Sequence, residues 1–222
     1  MDSRVEQALK TSLDQFAAAE QIPAGNLYAS LSGVFNAEDA FMEKVSALDA
    51  AFDEHPSFEP LREVFFDLLL INFFTEDVKK LEEDYLESAE WEAIEEETLD
   101  RGTELLNLLL YLRECEDENI EPELEDYLKE FLLVDEDEFQ DEHRIYEDVI
   151  ANQILVDSSY GEIAKVAGNL PEFAELKELF YPMLSFFHNR TPSEQDFAEF
   201  VKASPEPAFD SAVYTMLVKF NS

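Results

Sequence analysis

Apolar residues recur at three- and four-residue intervals along almost the whole chain, which is the period of an α-helix and not of a β-strand. Only five of the 222 residues are glycine. The pattern predicts an all-α protein, a multi-helix bundle of about nine to eleven helices. Pro23 follows the first predicted helix, and Thr191-Pro192-Ser193-Glu194 resembles a capping box with proline at the first helical position. We also expect one continuous helix, about 33 Å long, over residues 76–97.

Two stretches of the sequence resemble each other at a separation of 115 residues. The pattern Pro-x-Phe-x-x-Leu-basic-Glu-aliphatic-Phe-aromatic occurs in residues 56–66 and again in residues 171–181. It predicts an internal duplication, with residues 1–100 as the first half and 101–222 as the second. The alternative is that two Phe- and Leu-rich amphipathic helices resemble each other by chance.

The centre of the chain contains a helix that is apolar on nearly every side, residues 105–112, which is typical of a helix buried between two layers. No flexible linker separates the halves. We therefore expect them to share one core across this central helix and to form a single all-helical domain, 1–222. The aromatic residues of the two repeats fall mostly on one helix face, and we predict that they are core residues: Phe58, Phe65, Phe66, Phe73, Phe74, Phe173, Phe180, Tyr181, Phe186 and Phe187.

Acidic residues outnumber Lys and Arg by 53 to 15, and the imbalance is concentrated in the middle of the chain. Of the net charge of −38, residues 75–148 carry −24, whereas residues 1–74 and 149–222 carry −9 and −5. Self-repulsion opposes folding, but 46% hydrophobic residues are too many for a disordered chain. The charge disfavours direct binding to nucleic acid or to an anionic membrane. It favours a basic protein surface as the partner, for example that of a DNA-binding protein.

No group of residues has the spacing of a catalytic or metal-binding site. The three histidines lie far apart in the sequence, and none belongs to a Glu-x-x-His pair. The acidic run 135–138 is followed by Phe139, Gln140 and Tyr146 where an EF-hand loop requires oxygen ligands and a glycine. The single cysteine, Cys115, agrees with a reducing compartment, and the first residues show no secretory pattern. We expect a cytoplasmic, non-enzymatic protein without a metal or cofactor.

The charge concentration indicates where a partner would bind. On the continuous helix expected over 76–97, Glu83, Glu87 and Glu90 would share one face, and its length would match about one turn of duplex DNA. Trp91 lies off the apolar stripe of that helix, where it would act as a contact residue or pack against a neighbouring helix. The predicted partner-binding residues are Glu83, Glu87, Glu90, Trp91, Glu116, Asp117, Glu118, Asp135, Glu136, Asp137 and Glu138.

Three functions agree with these residues. An adaptor or chaperone-like protein would hold a basic partner on a surface that is acidic and partly apolar. A nucleic-acid mimic would display two rows of carboxylates at phosphate-like spacing. In the third, the acidity serves only solubility or adaptation to high salt, and the function lies elsewhere, for example in a small-ligand pocket between the halves.

Overall fold

A computed structural model describes the backbone of residues 1–76, 80, 83–131 and 139–222, and the side chains of these residues except 83–84, 130–131 and 139–142. The described residues contain helices and no strand, which confirms the all-α prediction. In these ranges, none of the helices combines the length and the apolar character needed to cross a membrane. The α-helices are α1 (Ser3–Glu20), α2 (Gly25–Asn36), α3 (Phe41–Asp53), α4 (Arg62–Glu76), α5 (Glu83–Leu86), α6 (Ala89–Thr98), α7 (Leu105–Glu118), α8 (Leu124–Phe131), α9 (Phe139–Ala151), α10 (Tyr160–Ala167), α11 (Lys177–His188), α12 (Glu194–Ala203) and α13 (Pro207–Phe220), and two 3₁₀ helices span Pro56–Leu61 and Gln153–Asp157.

The continuous helix expected over residues 76–97 does not form. α4 ends at Glu76, and the chain is extended at Ser88, where ψ is 150°. The Ser88 hydroxyl accepts a hydrogen bond from the backbone N–H of Trp91 at 3.2 Å and so caps the start of a new helix, α6. The prediction of one long helix is therefore wrong. The described part of the chain has twelve α-helices of eight residues or more, slightly above the predicted nine to eleven.

The capping box that begins α12 lies two residues later than predicted. Ser193 is the N-cap, because its hydroxyl oxygen accepts a hydrogen bond from the backbone N–H of Asp196 at 3.2 Å. The Asp196 carboxylate accepts the backbone N–H of Ser193 in return, at 2.9 Å. Pro192 precedes this box. The prediction that proline occupies the first helical position is therefore wrong.

The buried apolar side chains form one contiguous cluster that extends from α1 to α13. The most extensive helix pair within it joins the first helix to the last, α1 to α13, and α13 also packs on α11 and α7. The central apolar helix forms most of α7, which packs on α4, α8 and α13 and buries Leu105, Leu108, Leu109 and Leu112. The two ends of the chain thus add a contact between the predicted halves that local patterns did not indicate.

The two sequence repeats differ in the segment that precedes their main helix. α4 and α11 begin at Arg62 and Lys177, at the same separation of 115 residues as the repeats. Phe58 lies in a 3₁₀ helix, is buried, and has its ring centroid 5.6 Å from that of Phe16. Its counterpart Phe173 lies in turns and is 86% exposed, so the prediction of a core role for Phe173 is wrong. The other nine predicted core aromatics are buried, and the duplication itself stays a prediction.

Candidate partner-binding surface

The carboxylates on and beside α6 all face solvent. Residues 87–100 contain seven acidic residues and no basic residue, and all seven side chains are exposed. None of them forms an ion pair with a residue in the described part of the chain. Because no cation among the described residues pairs with these carboxylates, they produce a concentrated negative potential. We call this set the α6 acidic surface: Glu87, Glu90, Glu92, Glu95, Glu96, Glu97 and Asp100.

A narrow apolar stripe holds α6 on the protein. Ile94 is buried, and Trp91 is half-buried. The Trp91 ring centroid lies 5.3 Å from that of Phe74 at the end of α4 and 6.3 Å from that of Tyr85 in α5. Packing against a neighbouring helix, one of the two predicted roles of Trp91, is therefore confirmed.

The opposite face of α6 is open and carries two small residues. Ala89 and Ala93 are one helical turn apart, point away from the Trp91–Ile94 stripe, and are both exposed. A pair of carboxylates lies on each side of the two alanines. The pairs are Glu92 with Glu96 and Glu90 with Glu97.

Large apolar side chains are exposed within the acidic segment as well. Leu86 is 39% exposed just before α6, and Leu99 is 83% exposed directly after it. Ile120 is half-exposed just after α7. In the described part of the chain, three of the five exposed large hydrophobic residues thus fall within residues 75–148. The surface of the middle segment is a mixture of acidic and apolar groups rather than a purely acidic one.

The second group of predicted residues, at the end of α7, is in a different environment. Glu116 forms an ion pair with Arg4 of α1, and Asp117 lies 3.9 Å from the Arg113 guanidinium. Glu118 is exposed. The two cations offset part of the charge at the end of α7, whereas the seven carboxylates of the α6 acidic surface form no ion pair with a described residue.

The remaining predicted residues do not assemble as expected. Glu87 lies in the turn between α5 and α6 and Glu90 in α6, so the break at Ser88 prevents them from sharing a continuous helix face with Glu83. The side chain of Glu83 and the whole of the run Asp135–Glu138 lie outside the described residues. Of the predicted set, the structure places Glu90 and Trp91 in α6, Glu87 in the turn just before it, and residues 116–118 at the end of α7.

Two carboxylates of α4, one turn apart, hold the junction between α6 and α7. Glu63 accepts hydrogen bonds from the Arg101 side chain at 3.0 Å and from the backbone N–H of Gly102 at 2.7 Å. Asp67 accepts the backbone N–H and the hydroxyl of Thr103 at 3.0 and 2.5 Å. We call these five residues the α4 clamp, and it fixes where α6 ends on the protein.

Sequence reasoning missed the α4 clamp, although a signal for it exists. Asp67 and Asn72 interrupt the apolar run Val64–Phe74, and a carboxyl group in such a run needs hydrogen-bond donors from elsewhere in the fold. Asp67 is 1% exposed. Burial raises the pKa of the Asp67 carboxyl well above its usual value, although the hydrogen bonds from Thr103 oppose that shift. The donors could not be identified from the sequence, because they lie 36 residues away.

A cleft of about 910 Å³ lies where the residues before α7 meet α9, the end of α10 and the first turns of α11 and α13. Its wall includes the buried Asp210, which accepts the Ser204 hydroxyl at 2.5 Å and the backbone N–H of Glu206 at 3.1 Å. Burial raises the pKa of Asp210 to about 6. Across the cleft, the Glu104 carboxylate accepts the hydroxyl of the buried Tyr146 at 2.8 Å. Sequence reasoning identified none of these residues as functional candidates.

Neither metal chemistry nor similarity to other proteins adds to this description. Within the ranges that the structure describes, no three His, Cys, Asp or Glu residues are placed to hold a metal ion. Comparison of the chain with protein-family models, curated proteins and solved structures found no match. A functional proposal must therefore be argued from the surface itself.

Proposed function

We propose that this protein is a non-enzymatic interaction protein that binds a basic protein partner through the α6 acidic surface. The observation that supports this proposal is the presence of seven exposed carboxylates, unpaired within the described residues, beside the exposed Leu86 and Leu99. Complementary charge raises the association rate and makes binding sensitive to salt. Burial of the apolar side chains adds affinity that charge alone does not supply.

An adaptor or chaperone-like role agrees better with this surface than nucleic-acid mimicry does. α6 extends over ten residues. At 1.5 Å per residue it is about 15 Å long, less than half of the roughly 34 Å turn of duplex DNA. The phosphate rows of duplex DNA also carry no apolar groups, so a mimic of DNA would have no use for the exposed Leu86 and Leu99. We therefore assign α6 to the binding of a protein and not to the imitation of a nucleic acid.

The test compares two variants that remove the same number of charges from different places. The first replaces four acids of the α6 acidic surface with Gln: Glu90, Glu92, Glu96 and Glu97. The control replaces four exposed acids in or directly after other helices with Gln: Glu6, Glu20, Glu54 and Glu194. Each immobilised protein is incubated with native lysate at low salt and eluted with a salt gradient.

We expect the wild type and the control to retain the same basic proteins, and the α6 variant to lose them. Retention of those proteins by the α6 variant at the same salt concentration would refute the proposal. Added duplex DNA then separates the two roles, because DNA displaces the partner of a mimic by occupying the same cleft. An adaptor partner that stays bound in the presence of DNA supports the role assigned above.

The cleft that contains Asp210 supports a second candidate function, the binding of a small ligand, although its lining residues all belong to the predicted second half and not to the boundary between the halves. A ligand that binds only the folded protein raises the free energy of unfolding by RT ln(1 + [L]/Kd), so Tm rises as the ligand concentration increases above Kd. A thermal-shift screen with small amines at millimolar concentration tests this candidate. The Asp210→Asn variant is the control, since it should reduce any shift that depends on this carboxyl group.

A further inference from the structure

The junction between α6 and α7 lies between a buried carboxyl group and an open cleft. On one side, Glu63 and Asp67 of α4 accept the backbone N–H groups of Gly102 and Thr103, the hydrogen bonds of the α4 clamp. On the other side, the same two junction residues line the cleft of about 910 Å³. The junction therefore has space to move into when its attachment to α4 weakens.

The carboxyl group of Asp67 is 1% exposed and forms no ion pair with a described residue. The charged groups that face it are Glu63 on its own helix and Glu104 directly before α7, and both are acidic. The guanidinium of Arg101, the cation of the α4 clamp, bonds instead to Glu63 and to Asp49 of α3. A buried carboxylate beside two other carboxylates is costly, so binding of a proton stabilises it.

The hydrogen bonds at Asp67 suit a neutral carboxyl group. Its Oδ1 accepts the backbone N–H of Thr103 at 3.0 Å, which a neutral carboxyl group also does. Its Oδ2 lies 2.5 Å from the Thr103 hydroxyl oxygen, so either oxygen can carry a proton that the other accepts. Burial raises the pKa of Asp67 well above its usual value, in agreement with this geometry. Loss of the proton leaves a buried charge that water can solvate only after the junction moves.

We propose that Asp67 is a proton-dependent latch, whose neutral form holds the end of α6 on α4 and whose ionised form lets the junction move toward the cleft. This inference is independent of what the α6 acidic surface binds, because it concerns only how firmly that surface is held. Closure is strongest at low pH, since the closed form binds the proton more tightly than the open form. It weakens up to tenfold per pH unit between the ordinary pKa of an aspartic acid and the raised pKa of the closed form.

Hydrogen exchange at the Gly102 and Thr103 amides, followed by NMR spectroscopy between pH 5 and 7, measures the opening of the latch. Protection factors are compared rather than rates, because intrinsic exchange itself accelerates with pH. We expect the protection of both amides to fall about tenfold or more over this range in the wild type. Asp67→Asn keeps the shape and the carbonyl acceptor but has no titratable proton, so its protection should stay constant.

Two further variants separate the latch from other acids near the cleft. Asp210 also lines the cleft and has a pKa of about 6, so Asp210→Asn is the matched control and should leave the fall in protection at the junction unchanged. Glu104→Gln removes one of the charges that face Asp67 and keeps an oxygen that accepts the Tyr146 hydroxyl. It should reduce the fall, because ionised Asp67 is then repelled less.

The latch would be overturned by an equal pH dependence of protection in the wild type and in Asp67→Asn. Loss of the pH dependence in Asp210→Asn would overturn it too, since the effect would then belong to the acid in the cleft wall. If Asp67→Asn does not fold, Glu104→Gln decides the question. A profile identical to that of the wild type would refute the latch, and a reduced fall would support it.

Discussion

Replacement of Gly102 by alanine should disrupt the α4 clamp and destabilise the whole protein. Gly102 has a φ of +82°, in the region that glycine adopts freely and other residues adopt at a cost. A Cβ atom at this position would lie 2.5 Å from Oδ1 of Asp67 and 3.2 Å from Cδ1 of Phe66. Neither neighbour can move away easily, because both are buried.

The size of the effect follows from two contributions. The positive φ costs alanine about 1–2 kcal/mol relative to glycine. Displacement of Asp67 weakens its hydrogen bonds with Thr103, and a buried polar group left without partners costs about 1–3 kcal/mol. We therefore expect Gly102→Ala to lower the free energy of unfolding by about 2–5 kcal/mol. For a chain of this size the decrease corresponds to a fall in Tm of roughly 5–15 °C.

Urea denaturation followed by circular dichroism measures this change, and Gly33→Ala is the control. Gly33 lies inside α2, and nothing within 4 Å would meet an added Cβ atom. The control should therefore gain about 0.5–1 kcal/mol from the higher helix propensity of alanine. If Gly102→Ala were as stable as the wild type, the close contact with Asp67 and the role of the α4 clamp would both be incorrect.

Two further predictions concern pH and the attachment of α6. The pKa of Asp210 is raised to about 6 in the folded protein, so its contribution to stability is present at low pH and is lost as the pH rises through 6. The wild type should therefore gain about 1 kcal/mol more than Asp210→Asn when the pH falls from 7 to 5, and equal gains in urea titrations would contradict this assignment. Trp91→Ala removes the ring contacts with Phe74 and Tyr85 that hold α6 on α4. It should cost about 1–3 kcal/mol and increase hydrogen exchange in Ala89–Thr98 before the rest of the chain, whereas unchanged protection there would show that α6 is held by other contacts.

Properties that depend on near neighbours in the chain were accessible from the sequence. The helical period predicted the all-α fold, and the spacing of aromatic residues predicted nine of ten core side chains correctly. The central helix over residues 105–112 was also recognised from its apolar character. These predictions succeeded because helix formation and amphipathicity are set by residues three or four positions apart.

The helix break at Ser88 was only partly predictable from the sequence. The signal is local, a serine whose hydroxyl caps the backbone N–H of Trp91, but the periodic pattern continues across it. A capped helix start and a continuous helix compete at such a position, and a serine cap contributes about 1 kcal/mol to the first. The tertiary contacts of Trp91 with Phe74 and Tyr85 favour the arrangement in which α6 begins anew.

Only the tertiary structure decided whether each carboxylate is paired with a cation, buried or exposed to solvent. Glu116 pairs with Arg4 near the start of the chain, Asp67 is buried beside Thr103, and the acids of α6 face solvent. The sequence by itself determined that the chain is helical and that its middle is strongly acidic. Which of those charges are neutralised, buried or left open depends on groups far apart in the sequence, since ion pairing and desolvation act through space and not along the chain.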